Sequence, residues 1–410
     1  MSVLLKVLIS EGNSSGVLNS RSLVVIAALV SALMSPGCSA IRRNPVPEQL
    51  LDSAAIPGVP LARMWGDELP SDIEERVAVL SAQTRARADA AQERSYSLLA
   101  ISGGGSDGAF GAGLLKGWTE AGTRPEFGIV TGVSTGALMA PFAFLGPEYD
   151  DEMEDLYTTT STRDLIRKRG PLRGLMSDAM ADTQPLRERI REIVDDQMIS
   201  DLAAEQARGR RLLLGTTNLD VRRPVIWNIG AIAALGTPYA QRLIEDIMVA
   251  SSAIPGLFPP VHIEVEAEGR IYEEMHVDGG TTTQVFLYPT ALDLQAAANR
   301  MGVGRARRIY VIRNSMVEPR WAPVEARLLP IAKVSISTLI NSQGVGDLYR
   351  LYLQAERYGM AYSLAYIPAD FDVEPQEDFD PEYMKVLFAR GYEMARDGYP
   401  WATAPPGIDE

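Results

Sequence analysis

The stretch SLLAISGGGSDGAFGAG, Ser97–Gly113, sets a run of glycines directly after a short apolar segment. YSLLAI, Tyr96–Ile101, reads as a buried strand, and the pattern through LLKGWTEAG reads as a helix, so the glycines occupy a strand-to-helix turn. Gly103, Gly105 and Gly108 match G-x-G-x-x-G, the spacing that lets a dinucleotide phosphate approach the N–H groups at a helix start. A second anion suits the same turn. The oxyanion formed when a nucleophile attacks an ester carbonyl also needs preorganised backbone donors.

Outward from this turn the chain alternates strand and helix. FGIVTGV predicts a strand, and a small-residue helix follows from Thr135. Thr183 with Pro185 opens a helix whose Leu186, Ile190, Ile193 and Val194 share a face. RLLLGTTNLD and PVIWNIG predict paired strands around Val221–Arg223, PYAQRLIEDIMVASSA a helix, and VHIEVEAEGRIYEEMHV a hairpin turning at Glu268 and Gly269. RRIYVIRN predicts a further strand, with long helical patterns to about Tyr358 and a last helix starting at Asp380 and Pro381. The fold class implied is α/β, with a central, mostly parallel sheet and flanking helices.

Composition narrows the function. The 410 residues carry a net charge of -14, which opposes binding to a nucleic-acid backbone, and 46% hydrophobic content supports a large core. Arg21 precedes the apolar run Leu23–Met34, which is short for a bilayer span and matches the h-region of a secretory signal. Cys38, the one cysteine, follows that run where a bacterial lipoprotein carries its acylated cysteine; Gly37 fits that pattern, while Ser35 and Pro36 depart from it. The positive end of the signal lies far from Met1, as expected of a misassigned start or a leader. Ser39 favours sorting to the outer membrane, and the proline-rich stretch Ser39–Pro70 suits a tether, with a capped helix from Ser71. Arg163, Arg167, Lys168, Arg169 and Arg173 lie among Leu172, Leu175, Met176 and Met180, a mixture that suits either a solvated loop or an anionic interface.

Gly132-Val133-Ser134-Thr135-Gly136 is a G-x-S-x-G between a strand and a helix. Glycines two residues to either side of a serine permit the sharp turn that exposes a nucleophilic hydroxyl at a helix start, so Ser134 is the candidate nucleophile. The base is not obviously a histidine. Both histidines, His262 and His276, fall in the predicted hairpin, and none follows Asp278 as the order Ser, Asp, His would require. Asp278 ends a strand ahead of Gly279 and Gly280; a carboxylate at so sharp a turn either closes an ordinary D-G turn or reaches Ser134 to take its proton.

These ordered motifs, GGGSDG, GVSTG and DGG, with the proline-rich ASSAIPGLFPPV of Ala250–Val261, resemble the patatin-like phospholipase family. The likeness runs from Tyr96 to Pro289 and on toward Asn314. It implies a patatin-like three-layer sandwich, a Ser134–Asp278 dyad without histidine, and an oxyanion hole in the loop Gly103, Gly104, Gly105 and Ser106. It also implies an elbow at Gly132 and Gly136, and structural glycines at Gly108, Gly279 and Gly280. The sequence departs from the family at Asp107, where many relatives carry arginine or lysine, which removes an expected contact to a substrate phosphate. The same acid would repel a pyrophosphate, so the glycine loop reads as a site for an ester oxyanion.

The expectation is a serine hydrolase of lipid or other acyl esters. Ser134 attacks, Asp278 takes its proton and later activates water, and the Gly104–Ser106 amides hold the intermediate. No H-E-x-x-H, cysteine cluster or Walker A pattern calls for a metal or nucleotide cofactor. The rival is a catalytically idle envelope lipoprotein that binds acyl chains or a protein partner. The expected organisation is a leader over 1–37, a tether and helix over 38–95, a catalytic core over 96–315 and a helical extension over 316–410. A membrane anchor at Cys38 is expected, and oligomeric state is left open.

Overall fold

Leu99 and Ile101 of the strand Tyr96–Ile101 pack into one apolar cluster, and Leu98 and Ala100 into another. Side chains along a strand point alternately to its two faces, so a strand apolar at every position is one covered on both sides. The computed structural model describes residues 43–59, 61–88, 96–168, 179, 181–287, 306–318 and 321–408. Pro45–Glu410 is one compact unit; of the other, Met1–Asn44, only Arg43 and Asn44 are described.

The sheet has nine strands: β1 (Arg63–Trp65), β2 (Tyr96–Ile101), β3 (Phe127–Gly132), β4 (Arg211–Asn218), β5 (Arg223–Asn228), β6 (Val261–Ala267), β7 (Arg270–Asp278), β8 (Ala306–Arg313) and β9 (Ala361–Tyr366). Their order is β1-β5-β4-β3-β2-β8-β9, with β7 also paired to β4 and β6 to β7. From β9 through β8, β2 and β3 to β4 the neighbours are parallel, and β1, β5, β6 and β7 add antiparallel pairs.

The principal helices are α1 (Ile73–Ala88), α2 (Gly108–Glu120), α3 (Thr135–Leu145), α4 (Asp150–Thr159), α5 (Gln184–Ile193), α6 (Asp196–Ala207), α7 (Pro238–Ser251), α8 (Leu328–Tyr358) and α9 (Pro381–Arg396). Phe110 of α2, Met139 of α3, Ile247 of α7 and Leu387 of α9 cover one sheet face. Leu348, Leu351 and Ala355 of α8, with Val285, Phe286 and Leu287, cover the other. Helix, sheet and helix therefore make the three layers.

Two segments depart from the sequence reading. The proline-rich stretch is not a free tether from residue 45 onward: Ala54, Ile56, Val59 and Ala62 enter the core, and β1 pairs with β5. These residues are buried singly from irregular backbone, so no periodicity announces them. The C-terminal extension is not wholly helical, because β9 lies parallel to β8 and extends the sheet. Helix α6 was not anticipated; Asp195 caps it by accepting from the Met198 N–H at 2.8 Å.

Candidate active site

Strand β3 ends at Gly132 and the chain turns at Ser134, whose φ of 55° and ψ of −127° are costly for a residue with a side chain. Ser134 then stands at the N-terminus of α3 without a capping hydrogen bond from its side chain. The flanking glycines are required by contact: a Cβ on Gly132 would stand 2.3 Å from the Gly136 oxygen, and one on Gly136 2.5 Å from the Ile101 oxygen. The strain is held from outside. The Ser134 N–H donates to Ser251 Oγ at 3.0 Å, and that hydroxyl donates to the Gly215 oxygen at 2.7 Å, tying the elbow to α7 and β4.

One edge of β4 brings the carboxylate to this serine. Its first half pairs with β3 as far as Leu214 opposite Gly132, and its second half pairs with β7 from Thr216 opposite Asp278. Two chain ends thus meet at Gly215, on which Gly279 packs. Asp278 accepts a hydrogen bond from the Gly280 N–H at 2.7 Å, its own N–H donates to the Ala253 oxygen at 2.9 Å, and the Ser134 side chain is near enough to the carboxyl to favour its ionised form. Burial raises the Asp278 carboxyl to a pKa of about 6, against the lowering effect of the Ser134 side chain and the Gly280 N–H. It is therefore ionised, but a far better base than an exposed aspartate, at neutral pH.

His276 is fully buried and already engaged. Trp227 Nε1 donates to Thr216 Oγ1 at 2.7 Å, Thr216 Oγ1 lies 2.9 Å from His276 Nδ1, and His276 Nε2 lies 3.2 Å from Glu274 Oε2. Glu274 is also paired with Arg63. A neutral ring with its proton on Nε2 satisfies this chain, since it accepts from Thr216 and donates to Glu274. Burial pushes the His276 pKa down, in keeping with a neutral ring. Its Nδ1 faces Thr216 and its Nε2 faces Glu274, so both ring nitrogens are engaged away from Ser134.

The glycine loop leaves β2 beside this dyad. Gly103 faces the Ser134 Cβ, and Gly104 presses on Asn314, where an added Cβ would come within 2.1 Å of the backbone oxygen. Gly105–Asp107 form a single 3-10 turn, and Gly108 opens α2 against Thr135. The sequence placed Gly103 among the oxyanion donors, but its N–H is committed to the Gln284 oxygen at 3.3 Å. Among the described residues no acceptor is paired with the N–H of Gly104, Gly105 or Ser106, the first donors of a helical turn. Asp107 accepts from the Tyr383 hydroxyl at 2.7 Å.

Residues 99–290 match the Patatin-like phospholipase family. The chain carries a patatin-like domain. Its match lies within the stretch that the motifs had marked, and the fold around it is the mixed, mostly parallel sheet between helices expected of that domain. The patatin-like family is one of lipid acyl hydrolases, which supports lipid acyl hydrolysis as the general class of activity for this domain. A crystal structure of VipD from Legionella pneumophila is similar over 75% of this chain and 67% of that chain, with a TM-score of 0.34 and 14% sequence identity. No curated protein matches.

Several residues of the patatin-like site carried no sequence signal. Gln284 lies between Gly103, near its Oε1, and Gly280, near its Nε2, while Asp347 of α8 accepts from the Gln284 and Val285 N–H groups at 2.7 and 3.3 Å. Asn314 pins the loop: its N–H donates to Ser102 Oγ at 2.9 Å, its Nδ2 to the Ser102 oxygen at 3.0 Å, and its Oδ1 accepts from the Gly111 N–H at 3.2 Å. Arg313 is buried behind it, which lowers its pKa to about 10 against the opposing pull of Asp107. Arg313 and Asn314 are the last two residues of the predicted strand RRIYVIRN, and that strand-end position was the available clue.

Among the described residues two cavities adjoin the turns that carry the dyad, and neither of these two is lined by Ser134 or Asp278. A narrow apolar pocket of about 30 Å³ adjoins Gly105 and Thr135 and is walled by Leu138, Leu156, Ile190 and Met384. A larger cleft of about 530 Å³ adjoins Gly215, Gly279 and Asp347 on the α8 side. The small one touches the donor loop and the residue after the nucleophile, while the larger one touches Val133 before the nucleophile and Gly279 after Asp278. Cys38, Arg169, Arg173, Leu172, Leu175, Met176 and Met180 lie outside the described residues.

Proposed function

We propose that the chain hydrolyses lipid acyl esters with Ser134 as nucleophile and Asp278 as its base. The observation that carries this is the convergence at Gly215 of a strained Ser134, at the N-terminus of α3, and a buried Asp278 whose carboxyl the serine side chain influences. Asp278 takes the hydroxyl proton as Ser134 Oγ attacks the ester carbonyl, and the N–H groups of Gly104, Gly105 and Ser106 hold the oxygen that becomes negative. The alcohol leaves with the proton from Asp278. Water, deprotonated by the same carboxylate, then attacks the acyl-Ser134 ester, and Asp278 returns that proton to Ser134 Oγ as the acid leaves. The apolar pocket beside Gly105 and Thr135 receives the start of the acyl chain.

The test is hydrolysis of short and long p-nitrophenyl esters and of a phospholipid by the wild type, Ser134→Ala and Asp278→Ala, with fluorophosphonate labelling of Ser134. Loss of turnover in both variants is expected. Full activity in Asp278→Ala would overturn the dyad, and an unlabelled, inactive wild type would leave an acyl-binding protein. Anchoring through Cys38 in a bacterial outer membrane is a separate proposal, checked by mass spectrometry of that cysteine in the native protein.

A further inference from the structure

Helix α8 has two unlike halves. From Asp347 on it is part of the fold: Leu348, Leu351 and Ala355 are buried, and Asp347 holds the backbone of Gln284 beside the dyad. Its first half packs against little. Leu328 is 82% exposed and Leu339 71%, with Ile331, Val334 and Ile336 exposed as well, and Trp321, just ahead of the helix, is 87% exposed. At 100° per residue, Leu328, Ile331, Ala332, Ile336 and Leu339 fall on one side.

An apolar face this large, standing in water, marks a contact surface. We propose that it docks on a lipid bilayer, a reading that rests on the site being a lipid acyl hydrolase. Three observations select this occupant. The segment Leu328–Gly346 contains no Asp or Glu and a single charge, Lys333, in a chain of net charge -14. Trp321 and Arg327 flank it, an aromatic and a long cation of the kind that settle at a membrane interface. The helix is also continuous with the site, since Gly344 packs on Arg313 and Asp347 on Gln284, so a bilayer under its first half lies next to the dyad's own supports. Among the described residues no helix is long and apolar enough to cross a membrane, and in this proposal α8 rests on the interface by its exposed apolar side. Docking is driven by apolar burial, so zwitterionic phosphatidylcholine, with no net charge, suffices and salt changes binding little.

The experiment uses the full chain with Cys38→Ser, which removes any acyl anchor, and Leu339→Cys carrying an environment-sensitive dye. With phosphatidylcholine vesicles, the dye's emission shifts to the blue and is quenched by spin-labelled acyl chains. In the Cys38→Ser background with the dye at 339, adding Leu328→Ser and Ile331→Ser lowers vesicle affinity at least tenfold while hydrolysis of a soluble short-chain ester stays unchanged. A dye that remains in water on vesicle-bound protein overturns the proposal, because another segment then does the binding. A dye already shielded without vesicles, in proportion to protein concentration, overturns it in favour of a second copy. Ester hydrolysis surviving Ser134→Ala would instead defeat the catalytic reading and leave the dye result standing.

Discussion

Ser134 and Asp278 leave successive stretches of one edge of β4, Ser134 from the strand ending opposite Leu214 and Asp278 from the strand ending opposite Thr216. Their proximity is thus fixed by sheet register rather than by a loop. A one-residue slip of β7 would turn the carboxylate to the other face of the sheet. No third residue is needed to aim the base, because the Gly280 N–H and the strand itself hold it.

The first prediction is a pH limb. Activity on a soluble ester needs the ionised carboxylate, so kcat/KM falls below an apparent pKa of about 6, set by the burial of Asp278, with roughly tenfold loss per pH unit. A profile flat from pH 8 to pH 4 would remove Asp278 from the role of base.

Stability runs the other way. The pKa of Asp278 is raised from 3.8 to about 6, so the fold favours its neutral form. Its contribution is complete below about pH 4 and is lost as pH rises through about 6, a difference of up to about 3 kcal/mol at 1.36 kcal/mol per unit. Asp278→Asn is therefore expected to be more stable than the wild type above pH 7 and to converge with it below pH 4. Urea unfolding at the two pH values measures this; an equal difference at both would show that burial of the charge is not the cause.

What the sequence discloses follows from what backbone geometry demands. The elbow needs glycine at 132 and 136, and the close approach of Gly104 to Asn314 needs glycine there, so these positions leave a mark on the chain. Gln284, Asn314 and Asp347 act through single polar contacts made across long sequence separations, which impose no pattern. Strand β9 was missed for a different reason. Gly359, with φ of 62°, ends α8 and only Met360 separates it from the strand, so no loop signal precedes AYSLAY.

Replacing His276 distinguishes a structural residue from a catalytic one. His276→Gln disturbs the buried run from Trp227 through Thr216 to Glu274 and Arg63, leaving polar groups without partners, at a cost of about 2 kcal/mol. A lower melting temperature is expected, with the acid limb near pH 6 unchanged. Loss of turnover by a factor of a thousand at unaltered stability would return the base to His276.

The oxyanion loop is tested by two substitutions that differ in what they disturb. A Cβ at Gly104 would lie 2.1 Å from the Asn314 backbone oxygen, which cannot swing aside as a side chain could, so Gly104→Ala must shift the loop. The donors then miss the developing negative oxygen, and kcat is expected to fall by about 10²–10³, the usual cost of losing such a donor. Ser106→Ala leaves its backbone N–H in place and is expected to keep kcat within about twofold. Single-turnover hydrolysis of a p-nitrophenyl ester separates the two. If Ser106→Ala lost as much as Gly104→Ala, the hydroxyl rather than the amide would be the donor, and the Gly104–Ser106 amides would no longer account for stabilisation of the intermediate.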